Sequence, residues 1–275
     1  MKDPHKSVWI VGSCNGLLCI AIDEDAMFLW NPSTRKSKRL TCSGIRIRYG
    51  CLVTYGFGYD ESIDDYKVVG IFLIAGSGGS NDREVKVYTM RTNSWRKIGD
   101  FPHGITLDGS GKFANGKLHW AAGADTGSSY SWVIVSLDLA KETYGEVPQP
   151  SYDEGASDLT LGVLNGCICV LSRYPGVHAE VWIMNEYGRR ESWTKLVAIP
   201  YLPGPGHYEC LWPIWLSNNG EILLEHEFQL AVYNPKDGTF RYPTIHNLCG
   251  PFRIVTYAES LVLLDADNVF QREEQ

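Results

Sequence analysis

Short apolar runs broken by turn formers set the rhythm of this chain. Residues 11–20, VGSCNGLLCI, place Asn15-Gly16 between two apolar stretches. Both residues tolerate the positive φ that a two-residue hairpin turn requires at both of its positions, so VGSC and LLCI are expected as paired strands. Asn-Gly returns at Asn115-Gly116, Asn165-Gly166 and Asn219-Gly220. Near residue 65 the acidic pair Asp64-Asp65 precedes strand-like Tyr66-Lys67-Val68-Val69 and stands where a further copy belongs. A period of about fifty residues marks a repeat architecture.

A second pattern supports the first. The segments LWNPSTRKSKRL, VYTMRTNSWRKI, SLDLAKETYGEV, IMNEYGRRESWTKL and VYNPKDGTFRYP superimpose as strand, polar turn and strand, with an aromatic at the same place in the last four: Trp95, Tyr144, Trp193 and Phe240. Each unit then offers four short strands, the pattern of a β-propeller blade. No long segment keeps a 3.6-residue apolar period without Gly, Pro or Asn interrupting it, so the fold is read as all-β. Five units reach about residue 243. The apolar stretches Phe252–Tyr257 and Leu261–Leu264 read as a closing hairpin that joins the region of Trp9 in a sixth blade and removes an exposed edge. The expectation is one propeller domain over residues 1–275, with flexible ends at 1–7 and 266–275.

Composition narrows the function. The 275 residues are 44% hydrophobic and 21% charged, enough for a large core. A net charge of −7 disfavours nucleic acid and anionic membranes as partners. No apolar stretch approaches the roughly 18 residues of a membrane helix, and MKDPHKSVWIVG lacks the apolar core of a secretory signal. The eight cysteines form no CxxC pair and mostly sit in apolar runs such as Gly166–Val170, as buried free thiols of a reducing compartment would.

The strings VGSCNGLLCI, LWNPSTRKSKRL, YGFGYDESIDDYKVVGIF, VYTMRTNSWRKI and NGKLHWAAG, in that order, resemble the F-box-associated, kelch-like domain of plant F-box proteins over about residues 8–245. With that closing hairpin the repeats count six four-stranded antiparallel blades, five or seven being the alternatives; the resemblance implies a kelch-like β-propeller that acts as the substrate-recognition part of an SCF-type ubiquitin ligase in the cytoplasm or nucleus. Its partners would be a protein substrate and, through an F-box, a Skp-type adaptor and cullin. No helical, Leu-rich F-box stands before Ser7, so adaptor docking is assigned to no residue of this chain.

Catalytic and cofactor motifs fail on context. Ser33-Thr34-Arg35-Lys36 matches S-x-x-K but lies in a predicted polar turn, and Gly109-Ser110-Gly111-Lys112 is followed by Phe113 where a P-loop needs Ser or Thr. Gly56-Phe57-Gly58-Tyr59 lacks the third Gly of a dinucleotide fingerprint. The seven histidines are scattered without the spacing of metal ligands, and His119 between Leu118 and Trp120 reads as a structural residue. No catalytic residue, metal ligand or cofactor is assigned.

Strand order places the turns between first and second, and third and fourth, strands at one end of each blade, and all other loops at the opposite end. The first end receives short Asn-Gly and Asn-Pro turns. The second receives the long segments 41–49, 75–83, 101–110, 123–131, 149–157, 174–178 and 201–208. Binding residues favour loops on a rigid scaffold. The partner-binding residues are therefore sought among Arg46, Arg48, Tyr49, Arg83, His103, Tyr130, Tyr152, Tyr174, His207 and Tyr208, types enriched at interface centres. The alternative is a propeller hydrolase or oxidase working in the axial channel. The strands expected to line it, VGSC, GFGY, GKFA, LGVL and PIWL, are nearly devoid of ionisable groups, which favours recognition.

Overall fold

Three of the Asn-Gly pairs close two-residue hairpins with positive φ at both positions: Asn15 and Gly16 (48° and 82°), Asn115 and Gly116 (51° and 69°), Asn165 and Gly166 (49° and 80°). They join Cys14 to Leu17, Ala114 to Lys117 and Leu164 to Cys167 in register. The acidic copy is real but longer: residues 61–64 connect Asp60 to Asp65, with Asp64 at φ 51°. Asn219 departs from the expectation. Only Gly220 has positive φ (88°), Gly220 N donates to Ser217 O (3.1 Å), and Ser217 N donates to Glu221 O (2.9 Å). This is a three-residue loop ending in a left-handed glycine, the next commonest hairpin solution.

A computed structural model of the chain describes residues 8–22, 26–45, 52–75, 81–103, 109–123, 132–200, 211–226, 229–245 and 254–264. Among these, twenty strands form five four-stranded antiparallel sheets, or blades. Blade 1 holds β1 (Val8–Cys14), β2 (Leu17–Ile22), β3 (Ala26–Asn31) and β4 (Lys36–Arg39). Blade 2 holds β5 (Leu52–Asp60), β6 (Asp65–Ala75), β7 (Asn81–Thr89) and β8 (Ser94–Lys97). Blade 3 holds β9 (Lys112–Ala114), β10 (Lys117–Gly123), β11 (Trp132–Asp138) and β12 (Tyr144–Val147). Blade 4 holds β13 (Asp158–Leu164), β14 (Cys167–Tyr174), β15 (His178–Met184) and β16 (Trp193–Pro200), with a single 3-10 turn at Arg190–Ser192. Blade 5 holds β17 (Leu211–Leu216), β18 (Ile222–His226), β19 (Gln229–Asn234) and β20 (Thr239–Arg241). Each fourth strand lies at a sheet edge, and all but the eight-residue β16 are three or four residues long; KSKR and SWRK put lysine and arginine there, which blunts edge pairing.

The chain divides into two compact units, residues 1–145 with 257–275, and residues 146–256. In the first, Leu17 and Leu29 of blade 1 pack with Phe57, Val68 and Tyr88 of blade 2. Val69, Val85 and Val87 pack with Leu118, Trp120 and Leu137 of blade 3. Adjacent Val68 and Val69 point to opposite faces of β6, so that strand is buried on both sides and its sequence is almost continuously apolar. The first strands meet closely: Gly111 N donates to Tyr55 O (2.7 Å), and a Cβ on Gly56 would stand 2.8 Å from the Trp120 ring. Gly56 and Gly58 of GFGY and Gly111 of GSGK therefore serve close approach, and Gly109 a left-handed turn position, with no nucleotide role required. In the second unit, Leu171, Val181 and Ile199 of blade 4 pack with Leu224, Ala231 and Tyr233 of blade 5.

The repeated aromatic has a function that the pattern alone does not reveal. Trp95 stands opposite Tyr88, Trp193 opposite Met184 and Phe240 opposite Tyr233, equivalent places in three blades. Trp95 Nε1 donates to Thr41 O (2.7 Å), Tyr144 OH to Gly99 O (3.2 Å) and Trp193 Nε1 to Pro148 O (2.7 Å). Each accepting carbonyl belongs to the segment leading into the donor's own blade or the blade before it. Phe240 has no donor, and its neighbour Tyr233 supplies the bond instead, to Ala198 O at 3.4 Å.

The sixth blade does not form. Among the described residues 254–264 contain no strand, and β1, with Trp9, completes a blade of four consecutive strands. The tail instead crosses the turn end of blade 1. Asn31 Nδ2 donates to the carbonyls of Ser260 (3.0 Å) and Val262 (2.9 Å), Ser260 N donates to Ser33 Oγ (3.2 Å), and Leu264 is buried in the core of blades 1 and 2. A side-chain amide thus takes the place of a neighbouring strand. Gly16 is required here twice over, since its φ is left-handed and a Cβ would overlap Ser260.

Candidate functional site

Of the residues singled out for partner binding, Arg46, Arg48, Tyr49, Tyr130, His207 and Tyr208 lie outside the described residues. The other four fall into two pairs. Arg83 belongs to β7 rather than to a loop, and its Nη1 donates to His103 O at 2.7 Å, bringing those two residues together. Tyr174 ends β14 and is buried, with its hydroxyl accepting from Asp153 N (3.2 Å) and donating to Glu180 Oε2 (3.2 Å). Tyr152 packs edge-to-face on Trp182, with centroids 6.4 Å apart, and burial pushes its phenol well up from the ordinary value.

The second pair belongs to a buried charge centre in blade 4. Glu180, 2% exposed, receives Lys195 Nζ (2.5 Å) and His178 Nε2 (3.3 Å) on Oε1, and Trp182 Nε1 (3.1 Å) together with Tyr174 on Oε2. Burial alone would raise its pKa, but the hydrogen bonds from Lys195 and His178 outweigh that and hold the carboxyl below its usual range. Lys195 also stands 5.3 Å from the Trp182 ring centre. With both oxygens occupied, Glu180 holds its surroundings together. Neither Glu180 nor Lys195 is singled out by the sequence, because Lys195 and Tyr174 reach Glu180 from the strands on either side of β15.

The loop end of the first unit carries a cavity of about 270 Å³. Its walls come from the loop-end residues of three elements of blade 2, β5 (Leu52, Val53, Thr54, Tyr55), β6 (Ile71, Phe72, Leu73) and β7 (Arg83), together with Trp9 of β1, Phe101, Gly109 and Ser110. Tyr55 and Phe72 are buried and meet edge-to-face with centroids 5.9 Å apart, which fixes the rings. Thr54 Oγ1 donates to Gly109 O (2.6 Å) and closes one side. At the mouth, Leu52 is 53% exposed. Arg83 is the charged residue of the lining, so the site combines a preformed apolar cavity with a cation at its rim.

The turn end is filled differently. Lys67, 4% exposed, binds Asp60 Oδ2 (2.8 Å), Glu142 Oε1 (3.0 Å) and Leu139 O (2.6 Å), and Arg96 also pairs with Glu142. Burial pushes both carboxyls up, and the hydrogen bonds to Lys67, with Ser62 for Asp60 and Arg96 for Glu142, bring them below the usual range. His119, read as structural, is fully buried with Nδ1 3.1 Å from Lys112 O, and burial lowers its pKa to about 4. Of the free thiols, Cys14, Cys19 and Cys169 are buried, Cys167 is half-buried and Cys42 is exposed. Burial raises Cys14 to about 12, where it is inert as a nucleophile.

Comparison with known proteins agrees with this architecture. An "F-box/kelch-repeat protein At3g23880" of Arabidopsis thaliana is 38% identical over 259 residues, covering 92% of this chain and 68% of that protein. "F-box protein CPR1", also of Arabidopsis thaliana, is 31% identical over 97% of this chain and 71% of its own length. Among solved structures, YjhT superimposes with a TM-score of 0.52 at 15% identity, over 88% of this chain and 84% of that one, which speaks to the fold alone. Among the described residues no helix is long and apolar enough to cross a membrane. The profile of the F-box associated beta propeller domain matches residues 2–259, and with these relatives it establishes that the chain belongs to that family of F-box-protein β-propeller domains.

Proposed function

We propose that this domain is the substrate-recognition part of an SCF-type ubiquitin ligase, without catalytic residues of its own, and that it binds a protein substrate in the cytoplasm or nucleus through the loop end of its blades. A Skp-type adaptor and cullin would join through an F-box. The observation that carries the reading is the cavity between Trp9, Tyr55, Phe72 and Arg83. It opens at the end of blade 2 opposite the turn that joins Asp60 to Asp65, and aromatic pockets of this kind commonly dominate binding.

The test is capture with the whole protein as bait, from the tissue that expresses it and with the proteasome blocked. It is followed by an assay of whether the captured protein is ubiquitinated and gains lifetime when the bait gene is removed. Replacing Arg48, Tyr49 or Tyr208 by Ala should weaken capture with the melting temperature unchanged, whereas Lys36→Ala and Lys236→Ala at the turn end should not. The opposite assignment of effects would place recognition at the wrong end, and turnover of a small molecule by the isolated domain would replace recognition with catalysis.

A further inference from the structure

We infer that the loop-end cavity takes one bulky apolar side chain from an extended acidic segment of the partner protein, with a carboxylate one or two residues away paired to Arg83. This rests on the recognition reading above and gives the recognised element a chemistry. The cavity's 270 Å³ suits one large side chain, and Tyr55, Phe72 and Phe101 are buried and already fixed, so ordering them costs the complex nothing. Leu52 leaves apolar surface in water at the mouth, which a bound segment would cover.

The rim sets the sign of the charge. Arg83 makes one hydrogen bond, to the His103 carbonyl, and among the described residues no carboxylate pairs with it. A wholly apolar occupant would strip water from that guanidinium without replacing it, and a basic one would be repelled. A carboxylate can instead use the remaining N–H donors, in the forked geometry that arginine presents. The carbonyl of His103 fixes the guanidinium plane in advance. Thr54 and Gly111 spend their donors on Gly109 O and Tyr55 O, which leaves the Arg83 guanidinium as the charged donor that the described lining offers a ligand.

Three fluorescein-labelled Gly/Ser peptides test this against the full chain by fluorescence polarisation: one with Phe next to Asp, one with Phe next to Lys, and one with Ala next to Asp. The Phe/Asp peptide should bind saturably and roughly tenfold or more tightly than either of the others. Arg83→Glu should reverse the preference between Asp and Lys, and Ser110→Trp, which fills the mouth, should remove binding of all three. If Arg83→Glu lowers the melting temperature, Arg83→Gln serves instead and should erase the Asp preference without reversing it. Equal affinity for the Asp and Lys peptides, indifference to Arg83, or no saturable binding would overturn the proposal. A substrate captured by wild type and by Ser110→Trp equally would sink the cavity while sparing recognition. Peptide binding as expected, with no protein ubiquitinated, would keep the cavity and sink the ligase reading.

Discussion

At the turn end of the first unit Lys67 holds two carboxylates and a carbonyl, Asn31 ties down two carbonyls of the tail, and Asp65 accepts from the backbone of both Tyr66 and Arg91. At the loop end the cavity is bounded by apolar walls, and its charged rim residue makes a single hydrogen bond. Polar groups at one end have found their partners inside the fold. At the other end apolar surface and a cation remain for something outside it. In the first unit the two ends therefore differ in what their side chains engage, so mutations at the turn end are expected to act on stability and those at the cavity much less so.

The strongest test of that separation is Lys67→Met. It leaves Asp60 buried without its cation and removes one of two cations from Glu142, and should cost about 3–5 kcal/mol in urea unfolding. A cost below about 1 kcal/mol would mean that the network is ornamental. Gly16 and Gly166 form a sharper pair, because their turns share sequence and dihedrals, yet a Cβ on Gly16 meets the tail while one on Gly166 meets open space. Gly16→Ala should cost about 2–3 kcal/mol and Gly166→Ala about 1 kcal/mol. Equal costs would show that the tail contributes nothing to stability.

Acid should expose a third difference. The folded pKa of His119 is about 4 against an ordinary 6.5, so between these values the unfolded chain binds more protons and stability falls as pH falls. The loss by pH 5 should be about 2 kcal/mol, and His119→Gln should flatten the slope. Asp60, Glu142 and Glu180 have lowered pKa values, so their contributions are complete above the ordinary carboxylate range and vanish only as pH drops through the lower folded values. The smallest effect belongs to the loop end, where Arg83→Ala should shift stability by no more than about 0.5 kcal/mol. A larger loss would make Arg83 part of the frame.

What sequence could reveal follows from the range of each interaction. Asn15-Gly16 and its repeats declare themselves because a turn is set by adjacent residues, and Trp95 and Trp193 because their position recurs. The tail misleads for the same reason. Its alternation is genuine, with Leu264 buried and Leu261 and Leu263 83% and 68% exposed, but alternation shows which side is covered and not by what. Asn31 lies 229 residues from Ser260, and no local pattern announces a side-chain amide substituting for a strand. The site divides likewise. Strand order places Arg83 at the loop end, while the cavity it lines depends on Trp9, Tyr55 and Phe101 meeting from distant segments, and Tyr174 is engaged with Glu180.

The aromatic donors carry a consequence for the chain as it is made. Trp95 seals Thr41, Tyr144 seals Gly99 and Trp193 seals Pro148 across 54, 45 and 45 residues. At roughly 5–20 residues per second, each connecting segment waits about 2–10 seconds on the ribosome before its seal is synthesised. The amide of Asn31 must wait for nearly the whole chain. A nascent propeller of this kind is therefore a row of blades each secured by its successor, with the first exposed longest, and chaperone contact during synthesis should concentrate on blade 1.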